Sequence, residues 1–384
     1  MIKSNYYSII DFGLSKIRVA IFDSDLNVCF SESISNKSIH NSENTFINLK
    51  DLIKKAEKKI SSHIEDIILI LDSKKALVID VSMHKKLDSN TDFFKAYEVL
   101  TQEIYQIISD NYLEYKVIHN IFKSGIVDDK AFDSFPKNIK DVKEIKVDYK
   151  LICFPKENTQ NIVKNFNKNN LNISKIFCTS YLKSLSYLNK LNLDKISFFD
   201  IGYERSSLMT YEKKKLKYIS AINIGSNSIT KDISKIFKIN IEDAEKIKRS
   251  FNKSDTEFSY NNNDEINLSI KEIIKKNISI DLLKQVILHR VQEIIDLTFK
   301  NSKMNNFILK ETELFLIGDG SIMFNNNSFY LNDNFGFKSI NYFEESDIQI
   351  CKSGLSYYIK NYGTPKITIK KLGLFERFFN LFDQ

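Results

Sequence analysis

Apolar and polar residues alternate in short runs near the start of the chain and predict a strand, a tight turn and a return strand. In YYSIIDFGLSKIRVAIFD, residues 6–23, the first apolar run ends at Asp11. Residues 12–16 form the turn, and residues 17–22 alternate as the returning strand. A third strand follows at 26–34. The pattern therefore predicts a three-stranded meander.

The same plan occurs again in the middle of the chain. In ISFFDIGYERSSLMTYE, residues 196–212, the apolar run ends at Asp200, Gly202 lies in the turn, and residues 207–211 return. A third strand is predicted at 216–224. Two such meanders in one chain predict a duplicated α/β domain that closes on a nucleotide.

Both turns carry groups that can bind phosphate. An early glycine lets backbone N–H groups close around a phosphate oxygen, a hydroxyl adds a donor, and a basic side chain neutralises charge. The aspartate that ends each first strand can hold a metal ion through water or orient the turn. One such turn is a weak signal, but two of them favour a shared nucleotide. The candidate residues are Asp11, Gly13, Ser15 and Lys16 in the first turn, and Asp200, Gly202 and Arg205 in the second.

Three later segments add candidate nucleotide contacts. A helix is predicted to begin at Ser226 or Asn227, and a helix N-terminus can receive phosphate. The helix at 242–251 carries an acidic and a basic residue on one face, and a buried strand from residue 313 ends in a Gly-x-Gly turn. The candidate residues here are Gly225, Asn227, Glu245, Lys248, Gly318 and Gly320. We expect Glu245 and Lys248 to flank the ribose and adenine, with Gly318 and Gly320 beneath the adenine.

The order of these segments resembles that of the actin, sugar-kinase and heat-shock-chaperone superfamily. Within it, residues 198–248 are similar to the corresponding stretch of FtsA, the bacterial actin homologue that ties the division ring to the membrane. The likeness continues through QVILHRVQEIIDL (285–297), ELFLIGDGSIM (313–323) and ICKSGLSYYIKNYG (350–363). The resemblance to FtsA covers nearly the whole chain.

This resemblance implies a bilobed, duplicated actin-like α/β fold with an inserted FtsA-type α/β subdomain and a C-terminal amphipathic helix. The predicted boundaries are 1–79 for the first part of the first lobe, 80–175 for the inserted subdomain, 176–360 for the second lobe with a small subdomain at about 240–300, 361–371 for a tether, and 372–384 for the terminal helix. Within the insertion, the pattern predicts helices at 91–111 and 159–169 and strands at 115–122 and 142–154.

The resemblance also implies a function. It implies a scaffold rather than an enzyme, which binds ATP with Mg between its lobes and assembles with itself. Such a scaffold anchors FtsZ filaments to the cytoplasmic face of the bacterial inner membrane at the division site, where later division proteins bind. In FtsA the small subdomain receives the C-terminal peptide of FtsZ, and the resemblance places Arg290 in that site.

Two turns depart from the superfamily pattern. The second phosphate turn usually reads Asp-x-Gly-Gly-Gly-Thr, but here Tyr203, Glu204 and Arg205 follow Gly202. A carboxylate in this turn repels phosphate unless it points away or meets a cation. The adenosine turn, where Gly-Gly-Gly is common, contains Asp319 between its two glycines. We therefore expect weak or altered nucleotide binding, and we assign no base for hydrolysis.

The last residues form an amphipathic pattern. On a helical wheel, the apolar residues of 372–384 fall within about one half-circle, and the polar residues take the other half. Such a segment is too short to span a bilayer but can lie in its interface, and the basic residues around it suit anionic lipid. The alternative is a helix that packs on the protein's own core. The candidate membrane residues are Leu374, Phe375, Phe378, Phe379, Leu381 and Phe382.

Composition argues against several other classes of function. The formal net charge is +7, but basic runs such as KKK at 213–215 are short and scattered, so we do not expect nucleic-acid binding. The four cysteines are far apart and lack metal-ligand spacing, which predicts reduced thiols and no metal site built from them. We find neither a signal-peptide core nor a membrane-spanning apolar run, so we expect neither secretion nor a spanning segment.

Two other interpretations stay open. A sugar- or acetate-type kinase of the same superfamily needs a substrate cleft with a catalytic aspartate, and it gains nothing from a lipid-binding tail. A pilus-assembly relative of FtsA shares the inserted subdomain but binds the cytoplasmic peptide of a pilus protein.

Overall fold

The structure is a computed structural model and describes residues 6–36, 42–73, 75–87, 93–132, 142–250, 278–300, 311–321, 335–343 and 346–363. The predicted terminal helix at 372–384 lies outside these ranges, and so do its candidate membrane residues, Leu374, Phe375, Phe378, Phe379, Leu381 and Phe382. Within the described ranges, no helix is both long enough and apolar enough to cross a bilayer.

The first half is built on a five-stranded sheet that contains the first predicted meander. Its strands are β1 (Tyr7–Phe12), β2 (Lys16–Phe22), β3 (Val28–Ser35), β4 (Asp66–Leu71) and β9 (Asn172–Cys178), in the order β3-β2-β1-β4-β9. The first three strands are antiparallel, and β4 and β9 add in parallel. Helix α1 (Ser42–Ile60) covers one face, where Ile10 is buried, while Ile9 is buried in the core of the other face. Burial on both faces explains the continuous apolar run of β1.

The second half repeats this plan. Its strands are β10 (Lys195–Ile201), β11 (Ser206–Glu212), β12 (Lys215–Ile222), β13 (Glu313–Ile317) and β14 (Ser339–Tyr342), in the order β12-β11-β10-β13-β14. Again three antiparallel strands are followed by two parallel ones. The predicted duplication of the α/β plan is thus confirmed. Helices α5 (Ser226–Phe237), α6 (Ile241–Ser250) and α7 (Ile280–Lys300) share one apolar core with this sheet.

A third sheet has a core of its own. Its strands are β5 (Leu77–Lys86), β6 (Tyr115–Val127), β7 (Lys130–Phe132) and β8 (Glu144–Pro155), in the order β5-β8-β6-β7, and α2 (Phe93–Asn111) packs on it. The sheet falls in the region predicted as an insertion but begins at Leu77. Helix α3 (Lys156–Lys168) then returns to the first half, where Phe166 packs edge-on against Phe12.

Two further helices complete the described part of the chain. Helix α4 (Thr179–Leu188) joins β9 to β10, and α8 (Asp347–Tyr362) returns to the first half, where Ile350 and Leu355 are buried with β1 and β4 residues. The predicted tether begins at residue 361, but α8 continues through Tyr362 and ends at Gly363, whose φ is +74°. The rest of the predicted tether lies outside the described residues.

Candidate functional site

The two predicted phosphate hairpins meet at one region, which we call the junction, since Arg18 of the first contacts Asp319 and Asp200 of the second lies against Gly318. The junction comprises the turn at 13–15, the turn at 202–205 and the Gly-Asp-Gly segment at 318–320. Asn36 holds the first turn closed, because its Nδ2 donates to the Gly13 carbonyl over 3.2 Å and its backbone N–H donates to the Ser15 carbonyl over 2.8 Å.

Arg18 is the centre of the charged network in the junction, although the sequence did not single it out. Its Nη1 lies 2.8 Å from Asp11 Oδ2, its Nε lies 3.0 Å from Asp347 Oδ1, and its Nη2 lies 3.3 Å from Asp319 Oδ2. The Arg18 side chain is only 6% exposed. Alternate residues of a strand lie on the same face of the sheet. The position of Arg18, two residues after Lys16, was therefore the sequence signal that could have identified it.

Lys16, the predicted phosphate lysine, is turned towards Asp347. Lys16 Nζ lies 2.8 Å from Asp347 Oδ1, and the Ser33 hydroxyl donates to Oδ2 over 2.6 Å. Burial opposes ionisation of Asp347, but the hydrogen bonds from Lys16, Ser33 and Arg18 outweigh it and lower its pKa to about 2. Asp347 is therefore ionised near neutral pH and contacts Lys16 Nζ through both carboxylate oxygens, at 2.8 and 3.1 Å.

The second turn is also ion-paired. Asp200 is buried, and Lys183 Nζ on α4 lies 3.4 Å from its Oδ1. Arg205 Nη1 lies 3.1 Å from Oδ1 of Asp72, the residue that follows β4 in the other half. The Ser180 hydroxyl also contacts both Asp72 oxygens, at 3.0 and 2.9 Å. Sequence reasoning missed Lys183 and Asp72, because neither lies in a turn motif.

The N-terminus of α5 meets the second turn directly. The Ser226 N–H donates to the Gly202 carbonyl over 3.0 Å, and the Asn227 N–H donates to the Tyr203 carbonyl over 2.7 Å. A Cβ at Gly225 would lie 2.6 Å from the Gly202 carbonyl oxygen, so this approach requires glycine. The amides that were predicted to receive phosphate are therefore engaged by the turn, because protein carbonyls satisfy them.

The Gly-Asp-Gly segment packs on the end of β10. Gly318 has a φ of +90°, and a Cβ there would lie 2.4 Å from Asp200 Oδ1. The Gly320 N–H donates to the Ile201 carbonyl over 2.9 Å. The two glycines that were predicted to lie beneath adenine thus bring this segment against the second phosphate hairpin.

Glu245 and Lys248 form an ion pair with each other. Lys248 Nζ lies 2.7 Å from Glu245 Oε2 and donates to the Ser226 carbonyl over 3.2 Å. The Thr230 hydroxyl donates to Glu245 over 2.5 Å. Burial lowers the pKa of Lys248, while for Glu245 the neighbouring cations outweigh burial and lower the pKa. The pair joins α6 to α5, where the sequence predicted ribose and adenine contacts.

Arg290, the predicted FtsZ contact, is paired on its own subdomain. Its Nε and Nη2 contact the two carboxylate oxygens of Asp232 on α5, at 2.5 and 3.0 Å. Its Nη1 contacts Glu293 over 2.5 Å. The hydrogen bond with Asp232 raises the pKa of Arg290. A peptide carboxylate that binds this guanidinium must therefore compete with Asp232.

The side chains of the junction do not fit Mg–ATP in this arrangement. The carboxylates of Asp11 and Asp200, which could hold the metal, each contact a buried cation. Lys16 is engaged by Asp347, and the first amides of α5 are engaged by carbonyls. Arg205 Nε is a buried donor without a partner among the described residues, but one donor does not bind a triphosphate.

Comparison with known proteins confirms the resemblance to FtsA. The model of the family described as Cell division protein FtsA matches residues 198–341. The FtsA of Staphylococcus epidermidis is 24% identical over 263 residues, which cover 65% of this chain and 55% of that protein. The chain thus spans about half the length of this curated relative.

Solved structures confirm the actin-like fold. The PilM–PilN type IV pilus biogenesis complex is similar with a TM-score of 0.56 and 12% identity, covering 90% of this chain and 89% of that one. MreB5 of Spiroplasma citri bound to AMPPNP is similar with a TM-score of 0.50 and 12% identity, covering 93% and 97%. At this level of identity the likeness concerns the fold.

Proposed function

We propose that this chain, whose resemblance to FtsA is confirmed, is an actin-like cell-division protein that anchors FtsZ filaments to the cytoplasmic face of the inner membrane. The observation that carries the proposal is the FtsA match over residues 198–341, which includes the second hairpin and most of the helices packed on its sheet. The proposed role is that of a self-assembling scaffold on which later division proteins gather.

The membrane contact is assigned to residues 372–384. Helix α8 ends at Tyr362, a residue that is 47% exposed, so the helix ends at the surface of the first half. Burial of part of the apolar face in lipid contributes on the order of 5–8 kcal/mol before ordering costs. A single tail therefore binds reversibly, and assembly of many copies makes the adhesion firm.

The FtsZ contact is assigned to the surface that α5 and α7 share. Arg290 and Asp232 join these helices, and Ile236, four residues from Asp232 on the same face of α5, is 47% exposed. A peptide that is acidic and apolar matches a guanidinium beside an exposed isoleucine, because charged hydrogen bonds and apolar burial act together.

ATP with Mg is what the fold implies for the junction, and MreB5 of Spiroplasma citri has been solved with AMPPNP. In this chain the residues that would hold the nucleotide are engaged by each other. The proposed scaffold function therefore rests on the FtsA match and the tail, and it requires neither a bound nucleotide nor hydrolysis.

A second candidate is a pilus-assembly protein, which the similarity to the PilM–PilN complex favours. Two labelled peptides test the choice: the C-terminal peptide of FtsZ and the cytoplasmic peptide of a pilus inner-membrane protein. Fluorescence polarisation with the full chain should show binding of the first and none of the second. Binding of the pilus peptide alone would instead support the second candidate, a pilus-assembly protein.

A further inference from the structure

We propose that two ion pairs, Arg18–Asp319 and Arg205–Asp72, hold the two halves closed across the junction without a bound nucleotide. Charged side chains of the chain itself then join the two halves at the place where the fold implies bound Mg–ATP. The proposal goes beyond the scaffold function and stands whether or not FtsZ binds.

In each pair the arginine and the aspartate belong to different halves, and the two arginines belong to opposite halves. Arg18 lies on β2 of the first sheet, and its Nη2 is 3.3 Å from Oδ2 of Asp319, which follows β13 of the second. Arg205 precedes β11 of the second sheet, and its Nη1 is 3.1 Å from Oδ1 of Asp72, which follows β4 of the first. Each half therefore supplies one cation and one anion.

Both arginines are almost fully buried, with side-chain exposures of 6% for Arg18 and 8% for Arg205. Opening the junction separates both pairs at once. Arg18 keeps its contacts with Asp11 and Asp347 when the junction opens. The buried guanidinium of Arg205 loses Asp72, and this loss is costly because its charge is left without that compensation. The closed arrangement is thus favoured by two contacts that must break together.

The balance of charge in the junction leaves no surplus for a triphosphate. Among the described residues, four cations in or beside the junction contact five carboxylates. The cations are Lys16, Arg18, Lys183 and Arg205, and the carboxylates are Asp11, Asp72, Asp200, Asp319 and Asp347. Burial opposes ionisation of Asp319, but Arg18, Lys183 and Lys16 outweigh it and lower the pKa. Asp319 is therefore charged and repels an incoming phosphate.

The two residues that the second half contributes are among the positions that depart from the superfamily pattern. Arg205 closes the second phosphate turn, and Asp319 stands between Gly318 and Gly320. Gly318 and Gly320 let this segment pack closely against β10. This close packing also places Asp319 within contact of Arg18. Two of the altered positions, Arg205 and Asp319, thus form contacts that cross the junction.

Distance measurement between spin labels tests the proposal in the full chain. Labels at Ser31→Cys on β3 and Lys217→Cys on β12, with Cys29→Ser, report on the separation of the two halves, since both sites are exposed. We expect one distance that is unchanged by saturating Mg–ATP. We also expect a longer or second distance when Asp72→Asn and Asp319→Asn are combined.

Glu311→Gln is the matched control, because it removes the contact between Lys195 and Glu311, which lies within the second half. It should leave the distance unchanged. A shorter distance on adding Mg–ATP to the chain with native junction residues would overturn the proposal, and so would an unchanged distance in the double variant. If the double variant does not fold, thermal unfolding of the chain with native junction residues still tests the proposal. A ligand that binds the folded state raises the thermal midpoint, and we expect no rise on adding Mg–ATP.

Discussion

His119 on β6 accepts a hydrogen bond from the backbone N–H of Cys178 over 2.9 Å and so ties the third sheet to the end of β9. Its other ring nitrogen, Nδ1, lies 3.2 Å from the Tyr357 hydroxyl on α8. Because Nε2 accepts, neutral His119 carries its proton on Nδ1 and donates to Tyr357. One buried imidazole thus joins three parts of the fold.

This histidine should make stability depend on pH. Burial lowers the pKa of His119 to about 3, although the charge of Asp72 opposes the shift. Between that value and the ordinary value near 6.5, the unfolded chain binds the proton and the folded chain does not. The free energy of unfolding should therefore fall as pH drops below about 6.5, by up to about 1.4 kcal/mol per pH unit.

Urea unfolding at pH 7 and pH 5.5 measures this slope, in a range above the titration of Asp347, whose pKa is about 2. His119→Gln cannot titrate and should lose most of the slope while being less stable at pH 7. An equal slope in both proteins would mean that other groups cause the dependence.

Lys248→Ala should destabilise the second half. The Lys248 side chain is 5% exposed and bonds both to Glu245 and to the Ser226 carbonyl. The substitution leaves Glu245 with Arg249 as its remaining cation and leaves the Ser226 carbonyl without the Lys248 donor, which should cost about 2 kcal/mol. Lys246→Ala, which removes an exposed pair with Asp243, should cost less than about 0.5 kcal/mol in the same urea titration. If the two variants lose similar amounts of unfolding free energy, Lys248 does not lie in the packed interior.

Arg290 and Asp232 should have opposite effects on binding of the FtsZ peptide. Arg290→Gln removes a charged donor, and the affinity should fall about tenfold or more. Asp232→Asn removes the carboxylate that competes for the guanidinium, so the affinity should rise. Fluorescence polarisation measures both, with unfolding curves to show that the subdomain remains folded. If the two variants weaken binding alike, the peptide site lies elsewhere.

The tail prediction rests on sequence alone. Phe378→Glu combined with Phe382→Glu removes two large apolar side chains and places carboxylates near anionic headgroups. Vesicle binding should fall more than about a hundredfold, at roughly 1.5–3 kcal/mol for each lost aromatic. The thermal midpoint and FtsZ-peptide affinity should barely change. A midpoint lower by many degrees with intact vesicle binding would instead favour a helix packed on the core.

The sequence predicted the two hairpins well because their signals are local. Asp11 and Asp200 lie one residue before the ends of β1 and β10, directly before turns with a glycine, and both hairpins occur where the pattern placed them. The third strands and the helices shifted by one to three residues, since helix and strand ends depend on capping and packing.

The contacts of the junction could not be read in the same way. Arg18 and Asp319 are 301 positions apart, and Arg205 and Asp72 are 133 positions apart. Nothing in a local pattern says that such residues meet, so the sequence assigned Lys16, Glu245 and Lys248 to a ligand. In the folded chain, each of these three is ion-paired with another protein group.

Reconstitution of FtsZ filaments on vesicles tests the central claim most directly. Purified FtsZ with GTP should sediment with anionic vesicles only when the full chain is also present. It should remain in the supernatant when the chain carries Phe378→Glu and Phe382→Glu. If the full chain sediments with the vesicles while FtsZ stays in the supernatant, the chain is not the anchor proposed here.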